Sequence, residues 1–193
     1  MKRFVRHFLW PAFALLLAMT VVTGVAYPAF VTAVAQVVFP SQANGSMIVV
    51  DGRTVGSSLI GQAFSEPQYF WGRPSAAGAD GYDASASAGS NLGPTSQALI
   101  ERISAEVDRL REANGDGPVP VDLVTTSASG LDPHISPAAA EYQVARVAEA
   151  RGMTIADIEA AVARHTEQPM LGFLGQARVH VLELNLDLDG LLR

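Results

Sequence analysis

"FLWPAFALLLAMTVVTGVAYPAFVTAVA", Phe8 to Ala35, contains no charged side chain, and the reading of this stretch decides the architecture of everything after it. A hydrocarbon core about 30 Å thick needs roughly 20 apolar residues at ~1.5 Å rise each, and Phe8 to Tyr27 alone satisfies that length. Pro11 is expected in the first helical turn, where a missing N–H costs nothing. Pro28 is expected to kink or end the span, which leaves its far boundary open. Two other readings compete. "AVA" at Ala33 to Ala35, behind a basic start, resembles a signal-peptidase site, but cleavable apolar cores run only about 7 to 15 residues. A buried core helix would need a polar face, and this stretch has none. The expectation is a retained membrane anchor.

Charge then sets a direction. Lys2, Arg3 and Arg6 precede the span, and the next basic residue is Arg53. By the positive-inside rule the N-terminus stays in the cytoplasm and the chain beyond the span is exported. The expected organisation is a cytoplasmic N-terminus over 1–7, a transmembrane helix over 8–34, a linker over 35–46 and one extracytoplasmic α+β domain over 47–193. All 19 acidic residues lie at Asp51 or beyond, against the 10 of the 13 basic residues that remain there, so the part after the span carries a formal charge of −9 where the whole chain carries −6. Nucleic acid is a poor partner for such a surface, since phosphate binding needs a basic stripe. The chain has no cysteine, which excludes disulfides, thiolate zinc sites and cysteine nucleophiles.

The exported part reads as alternating short elements. "SQANGS" is a polar linker, and "MIVVDG" (Met47 to Gly52) is a short strand entering an Asp-Gly turn. "SLIGQAF" (Ser58 to Phe64) is a second strand candidate. Glu66 to Pro94 is rich in Gly, Ala and Ser with little periodicity, which in a compact domain marks a functional or mobile loop. Leu99, Ile103, Val107 and Leu110 share one face of a helix that Thr95 or Ser96 can cap and Asn114-Gly115 can end. "VDLVTT" (Val121 to Thr126) reads as a strand. "PAAAEYQVARVAEARG" is a helix with Ser136 as N-cap, Pro137 at its first position and Gly152 as its stop. Thr154 with Asp157 begins a third helix reaching Arg164. In "VHVLELNLDLD", Leu182, Leu184, Leu186 and Leu188 alternate with Glu183, Asn185, Asp187 and Asp189, the period of a half-buried strand.

Several stretches invite a chemical reading. "SASGLDPHISP" (Ser127 to Pro137) places serines, an aspartate and a histidine together, and an anchored hydrolase using Ser129, Asp132 and His134 is one hypothesis. A nucleophilic serine, however, needs a base within ~3 Å and an acid behind it, and neighbours in one loop seldom converge so. The local reading makes Ser136 a cap and Asp132-Pro133 a turn. "NLDLDG" (Asn185 to Gly190) imitates the start of a calcium loop, but the closing glutamate about six residues on is missing. His7, His134, His165 and His180 have no metal-ligand spacing. "GSNLGPT" (Gly89 to Thr95) enters a helix without the lysine of a phosphate loop. "YFWGRPSA" (Tyr69 to Ala76) sets aromatics around Arg73, either as an interface or as a satellite core cluster. No catalytic residue and no metal ligand is assigned.

Taken in order, "GSSLIGQAF", "YFWGRPSA", "YDASASAGSNLGPT", "VPVDLVTTSASGLDPHISPAAAEYQVARVAEARG", His165-Thr166 and "VHVLELNLDLD" resemble the C subunit of the bacterial Kdp-type potassium-transporting ATPase. The likeness covers nearly the whole chain, the single span included. It implies a non-catalytic membrane subunit assembled with a channel-like potassium-translocating subunit and a P-type ATPase subunit, with ATP and potassium handled by the complex. Where that family usually carries asparagine, this chain has His180. The family has also been given a chaperone role that raises ATP affinity, which would point to Ser127, Ser129 and Gly130 as nucleotide contacts. Arg73, Pro74, Ser90, Asn91, Leu92, Asp132 and His134 are the candidate partner contacts. An exported domain would face away from cytoplasmic ATP, so the expected role is instead a brace and acidic cap at the outer potassium entrance. The alternative is an anchored exported binding module or hydrolase unrelated to transport.

Overall fold

The computed structural model describes residues 2–191. The chain divides between Met47 and Ile48 into two compact units.

The first unit is a continuous helix. Stretches α1 (Lys2–Phe4), α2 (Trp10–Val21) and α3 (Tyr27–Val38) are joined by π-helical turns at Val5–Leu9 and Val22–Ala26. Each π turn comes just before a proline, Pro11 or Pro28. A proline ring clashes with the carbonyl four residues back and offers no N–H, and those carbonyls, of His7 and Gly24, both lie in the wider turns. The prolines are therefore absorbed. Pro11 does not open the helix, and Pro28 does not end it, contrary to the expectation from sequence. From Val5 to Val38 the helix is long and apolar enough to cross a membrane. Two of its hydroxyls bond back to the helix: Thr20 donates to Leu16 O (2.8 Å) and Thr23 to Met19 O (2.7 Å). After Phe39 leaves helical geometry, one turn, α4 (Pro40–Ala43), comes next.

The second unit is mixed helix and sheet. Strands β1 (Met47–Val50) and β2 (Arg53–Ser57) pair across Asp51-Gly52, whose φ values of 49° and 77° match the mirror-image turn that suits hairpin twist. The strand expected from Ser58 does not form. The Ser57 hydroxyl accepts from Leu59 N (3.1 Å) and Ile60 N returns to Ser57 O (3.3 Å), so the chain turns instead. Helix α5 (Gln97–Asn114) follows Ser96, whose side chain makes no capping bond, and stops at Gly115. The strand expected at Val121 is also absent. Pro120 leads into a single 3-10 turn, Val121–Leu123, that drops Leu123 into the core.

Strand β3 (His134–Ile135), helix α6 (Pro137–Arg151), helix α7 (Ile155–Arg164), strands β4 (Thr166–Glu167) and β5 (Arg178–His180) and helix α8 (Val181–Leu188) complete the unit. Ser136 caps α6 by accepting from Ala139 N (3.1 Å) and Gly152 closes it in the left-handed region; Thr154 caps α7 by accepting from Asp157 N (3.2 Å). The antiparallel sheet runs β3-β5-β4, with His134 opposite His180 and Thr166 opposite Val179.

The largest correction is at the end of the chain. "LELNLDL" is helix, not strand. Alternation stops distinguishing the two when an element is buried on most sides, and here Val181, Leu182, Leu184, Asn185 and Leu186 are all buried. The stretch also holds no β-branched residue between Leu182 and Leu188, and Leu and Glu favour helix. Helices α5, α6, α7 and α8 and strand β5 enclose one core, with Leu110, Val147, Ile158, Val179 and Leu184 at or near zero exposure. The chain is thus α+β with one N-terminal apolar helix.

Candidate functional site

The irregular segment "EPQYFWGRPSA" has no strand partner, so its backbone must find hydrogen bonds elsewhere. Side chains of α6 and α8 provide them. Gln143 accepts from Trp71 N (2.8 Å) and donates to Trp71 O (3.2 Å); Asn185 does the same for Phe70 N (2.8 Å) and Phe70 O (3.0 Å). Arg146 donates to Tyr69 O (3.0 Å), Pro67 O and the Gln143 carboxamide (2.8 Å). Arg151 donates to Gln68 O (2.7 Å) and Leu188 O (2.8 Å) and pairs with Asp189 (2.8 Å). The Trp71 ring lies between the guanidinium groups of Arg109 (4.3 Å) and Arg146 (3.9 Å). Burial, followed by the nearby Arg109 charge, lowers the Arg146 pKa to about 10, which leaves it cationic at neutral pH.

Past Trp71 the segment locks against the Ser127–Pro137 loop. Arg73 pairs with Asp132 Oδ2 (3.1 Å) and donates to Thr125 O and Thr126 O at 3.3–3.4 Å. The other oxygen of Asp132, Oδ1, accepts from His134 N (3.0 Å), and His134 Nδ1 stands 3.5 Å from it. Partial burial works to raise the Asp132 pKa, but hydrogen bonds from His134 and Arg73 outweigh it and hold the carboxyl below its ordinary value. Ser75 donates to Gly130 O (2.6 Å) and accepts from Tyr82 N (2.7 Å), while Tyr82 donates to Arg73 O (2.6 Å). Burial, then the Asp132 charge, pushes the Tyr82 hydroxyl up to about 12. Gly130 has φ 68°, and a Cβ there would stand 2.5 Å from Ala88 O, so this junction requires glycine.

The structure brings Arg73, Asp132 and His134 together, and Ser127 and Ser129 line a neighbouring cleft of about 550 Å³ with Arg73. Pro74 faces a different cleft, of about 260 Å³. Ser90, Asn91 and Leu92 belong to the connection before α5, with Asn91 and Leu92 exposed, and line none of the clefts around Arg73.

The hydrolase arrangement does not assemble. Ser129 accepts from Leu131 N (3.1 Å) and lies 3.4 Å from the Ser127 hydroxyl, while His134 is turned to Asp132 and packs edge-on against His180 at 5.1 Å. Among the described residues no bond joins Ser129 to His134. Ser129 O and Gly130 O are taken by Ser87 and Ser75. Among the described residues no group of three or more His, Asp or Glu side chains forms a metal site.

The chain is similar to known proteins over nearly its whole length. The model of the family described as the K+-transporting ATPase c chain, KdpC, matches residues 9–190. The chain belongs to the KdpC family. The potassium-transporting ATPase KdpC subunit of Sorangium cellulosum is 60% identical over 182 residues, covering 93% of this chain and 96% of that protein. That of Polaromonas naphthalenivorans is 58% identical over 188 residues, 96% of each. That of Methylococcus capsulatus is 56% identical over 189 residues, 97% of this chain and 99% of the relative.

Within this KdpC-family fold the sequence reading missed Ser75, Tyr82, Gln143, Arg146 and Asn185. A signal existed for two of them. Gln143 sits on the apolar face of α6, four residues from both Ala139 and Val147, and Asn185 interrupts a leucine run; each is a polar group with nowhere to go but a buried partner. His180 opens the last helix. Its Nδ1 accepts from Glu183 N (3.2 Å) as the N-cap of α8.

Proposed function

We infer that this chain is a non-catalytic, membrane-anchored subunit of a Kdp-type potassium-transporting ATPase, and that its folded unit braces the outer potassium entrance and presents an acidic surface to it. The observation that carries the first part is the family match over residues 9–190 with relatives above 55% identity along nearly their whole length. A channel-like potassium-translocating subunit and a P-type ATPase subunit are the partners proposed, with ATP and potassium handled by the complex. The geometry around Arg73 supports a brace: its polar groups are consumed internally, and a rigid interlock is what a load-transmitting part needs. The same engagement of Ser129 and Gly130 supports a structural part for the loop over direct nucleotide contact.

The outward orientation rests on Lys2, Arg3 and Arg6 before an uncharged span. The acidic cap rests on the −9 balance after the span, between 10 basic and 19 acidic residues, and on exposed carboxylates such as Asp51, Asp80, Asp83, Asp108 and Asp116. Such a surface raises local cation concentration over about 8 Å at physiological ionic strength. Protease added to intact spheroplasts is expected to degrade the folded unit; full protection overturns the orientation. Neutralising those five aspartates is expected to slow potassium uptake at low salt and to matter less at high salt. Unchanged low-salt uptake removes the acidic-cap role.

A further inference from the structure

The register of the β3-β5 pair sets two imidazoles against each other. His134 lies opposite His180, with ring centroids 5.1 Å apart and planes at 86°. His180 is only 4% exposed, and both of its ring nitrogens are engaged. Nε2 donates to Ser58 O (2.8 Å), and Nδ1 accepts from Glu183 N (3.2 Å). Only the neutral ring with its hydrogen on Nε2 makes both bonds, because an imidazolium donates from each nitrogen. A proton on Nδ1 would face the Glu183 N–H, donor against donor, and the cap of α8 would be lost.

The surroundings do not compensate that charge. On the β3 side the Asp132 carboxylate is already shared by His134 Nδ1 (3.5 Å) and Arg73 (3.1 Å). On the α7–β4 side His165 meets His180 through its backbone carbonyl, which accepts from His180 N (3.3 Å), while its ring is paired with Asp187 (3.1 Å). Glu183 of α8 meets the ring through its backbone N–H. The buried residues of α6 are uncharged except Arg146, itself a cation and spent on the Tyr69–Trp71 segment. Among the described residues the histidine–carboxylate pairs are those of His134 and His165, and neither includes His180.

We propose that His180 is an acid-released latch: when its ring takes up a proton at Nδ1, the first turn of α8 loses its cap and the junction between β5 and α8 loosens. What α8 holds carries the change further. Its Asn185 fixes Phe70 N and Phe70 O (2.8 and 3.0 Å), and its Asp187 pairs with Arg164 (2.7 Å), so release slackens the segment on which the brace depends. A free imidazole takes up its proton near pH 6.5. That lies well above the range of Asp132 and Asp187, which are held below ordinary carboxylates. With the folded unit outside the membrane, the acid sensed is that of the medium; this side assignment rests on the reading above, whereas the latch itself does not.

Hydrogen exchange read by mass spectrometry, on the full chain in its detergent-extracted complex and corrected for the pH dependence of unprotected amides, tests the latch. Between about pH 7.5 and about pH 5.5, which bracket the imidazole range, peptides covering Val181–Leu188 are expected to exchange about tenfold faster at the acid end, as for loss of a helix cap. Peptides from α6 are expected to stay unchanged. His180→Asn, whose carboxamide caps without titrating, should show no acid increase, and His134→Gln should keep it. A parent chain without the increase removes the latch, and a His180→Asn chain that responds like the parent puts the proton elsewhere. Loss of the response in His134→Gln moves the trigger to His134 and overturns the role of His180. The transport reading survives each of these results. If instead the chain extracts without partners, that reading falls, while exchange on the isolated full chain still decides the latch.

Discussion

His180 carries two bonds on one ring. Its Nε2 reaches Ser58 O at 2.8 Å, and since a carbonyl only accepts, Nε2 bears the hydrogen and Nδ1 is free to accept from Glu183 N at 3.2 Å. The imidazole thus caps α8 and ties it to the turn after β2. An asparagine carboxamide can accept at the same N-cap position. His180→Asn is expected to keep the helix cap but lose the bond to Ser58 O, costing about 1 kcal/mol, whereas His180→Ala loses both and should cost about 2 kcal/mol or more. Urea unfolding of the two variants beside the parent chain decides; equal losses would mean that packing against His134, not the cap, is what the ring contributes. The sequence showed a histidine without metal partners, and only the fold showed that a helix begins there.

At the scale of elements, the local rules worked where a signal is local. Ser136, Pro137 and Gly152 bound α6, and Thr154 opens α7, because caps answer to the few residues around them. They failed at Ser58, Val121 and Leu182, where the deciding partner is distant or the element is buried on several sides. Pro28 taught a related lesson: a π-helical turn, Val22–Ala26, lets the apolar helix continue to Val38. The segment Phe70–Trp71 behaves as a strand whose ladder is made of side chains, and α8 supplies one rung. Asn185→Leu preserves the apolar character of α8 but orphans Phe70 N and Phe70 O, which Asn185 holds at 2.8 Å and 3.0 Å in the buried interior. Each orphaned backbone group costs about 1–3 kcal/mol, so the variant should lose roughly 2–6 kcal/mol of unfolding free energy. A neutral outcome in denaturant unfolding would show that the segment can rearrange.

For the molecule as a whole, two carboxylates fasten distant parts of the folded unit and respond to pH together. Hydrogen bonding from Arg164, against a smaller opposing effect of burial, and then from His165, holds Asp187 below the usual carboxylate range; Asp132 is likewise lowered by His134 and Arg73 in spite of burial. A carboxylate whose folded pKa is depressed stabilises fully above its unfolded value of about 4 and loses that contribution as pH falls through the folded value. Stability is therefore expected to decline below about pH 4, and an Asp132→Asn, Asp187→Asn double variant to show a shallower acid decline, measured as urea midpoints across the range. An identical acid slope would place the acid sensitivity elsewhere. By itself the sequence determined the apolar span, the charge asymmetry, the family resemblance and the ends of α5, α6 and α7, because hydrophobic length, charge sums and caps are read within a few residues. Only the tertiary structure decided that the leucine run is a buried helix, that Gln143, Arg146 and Asn185 serve as partners for an unpaired backbone, and that Ser129 never meets His134. Those facts depend on which groups far apart in the chain lose water together; the local pattern marks Gln143 and Asn185 as polar groups on apolar stretches but does not encode which backbone they meet.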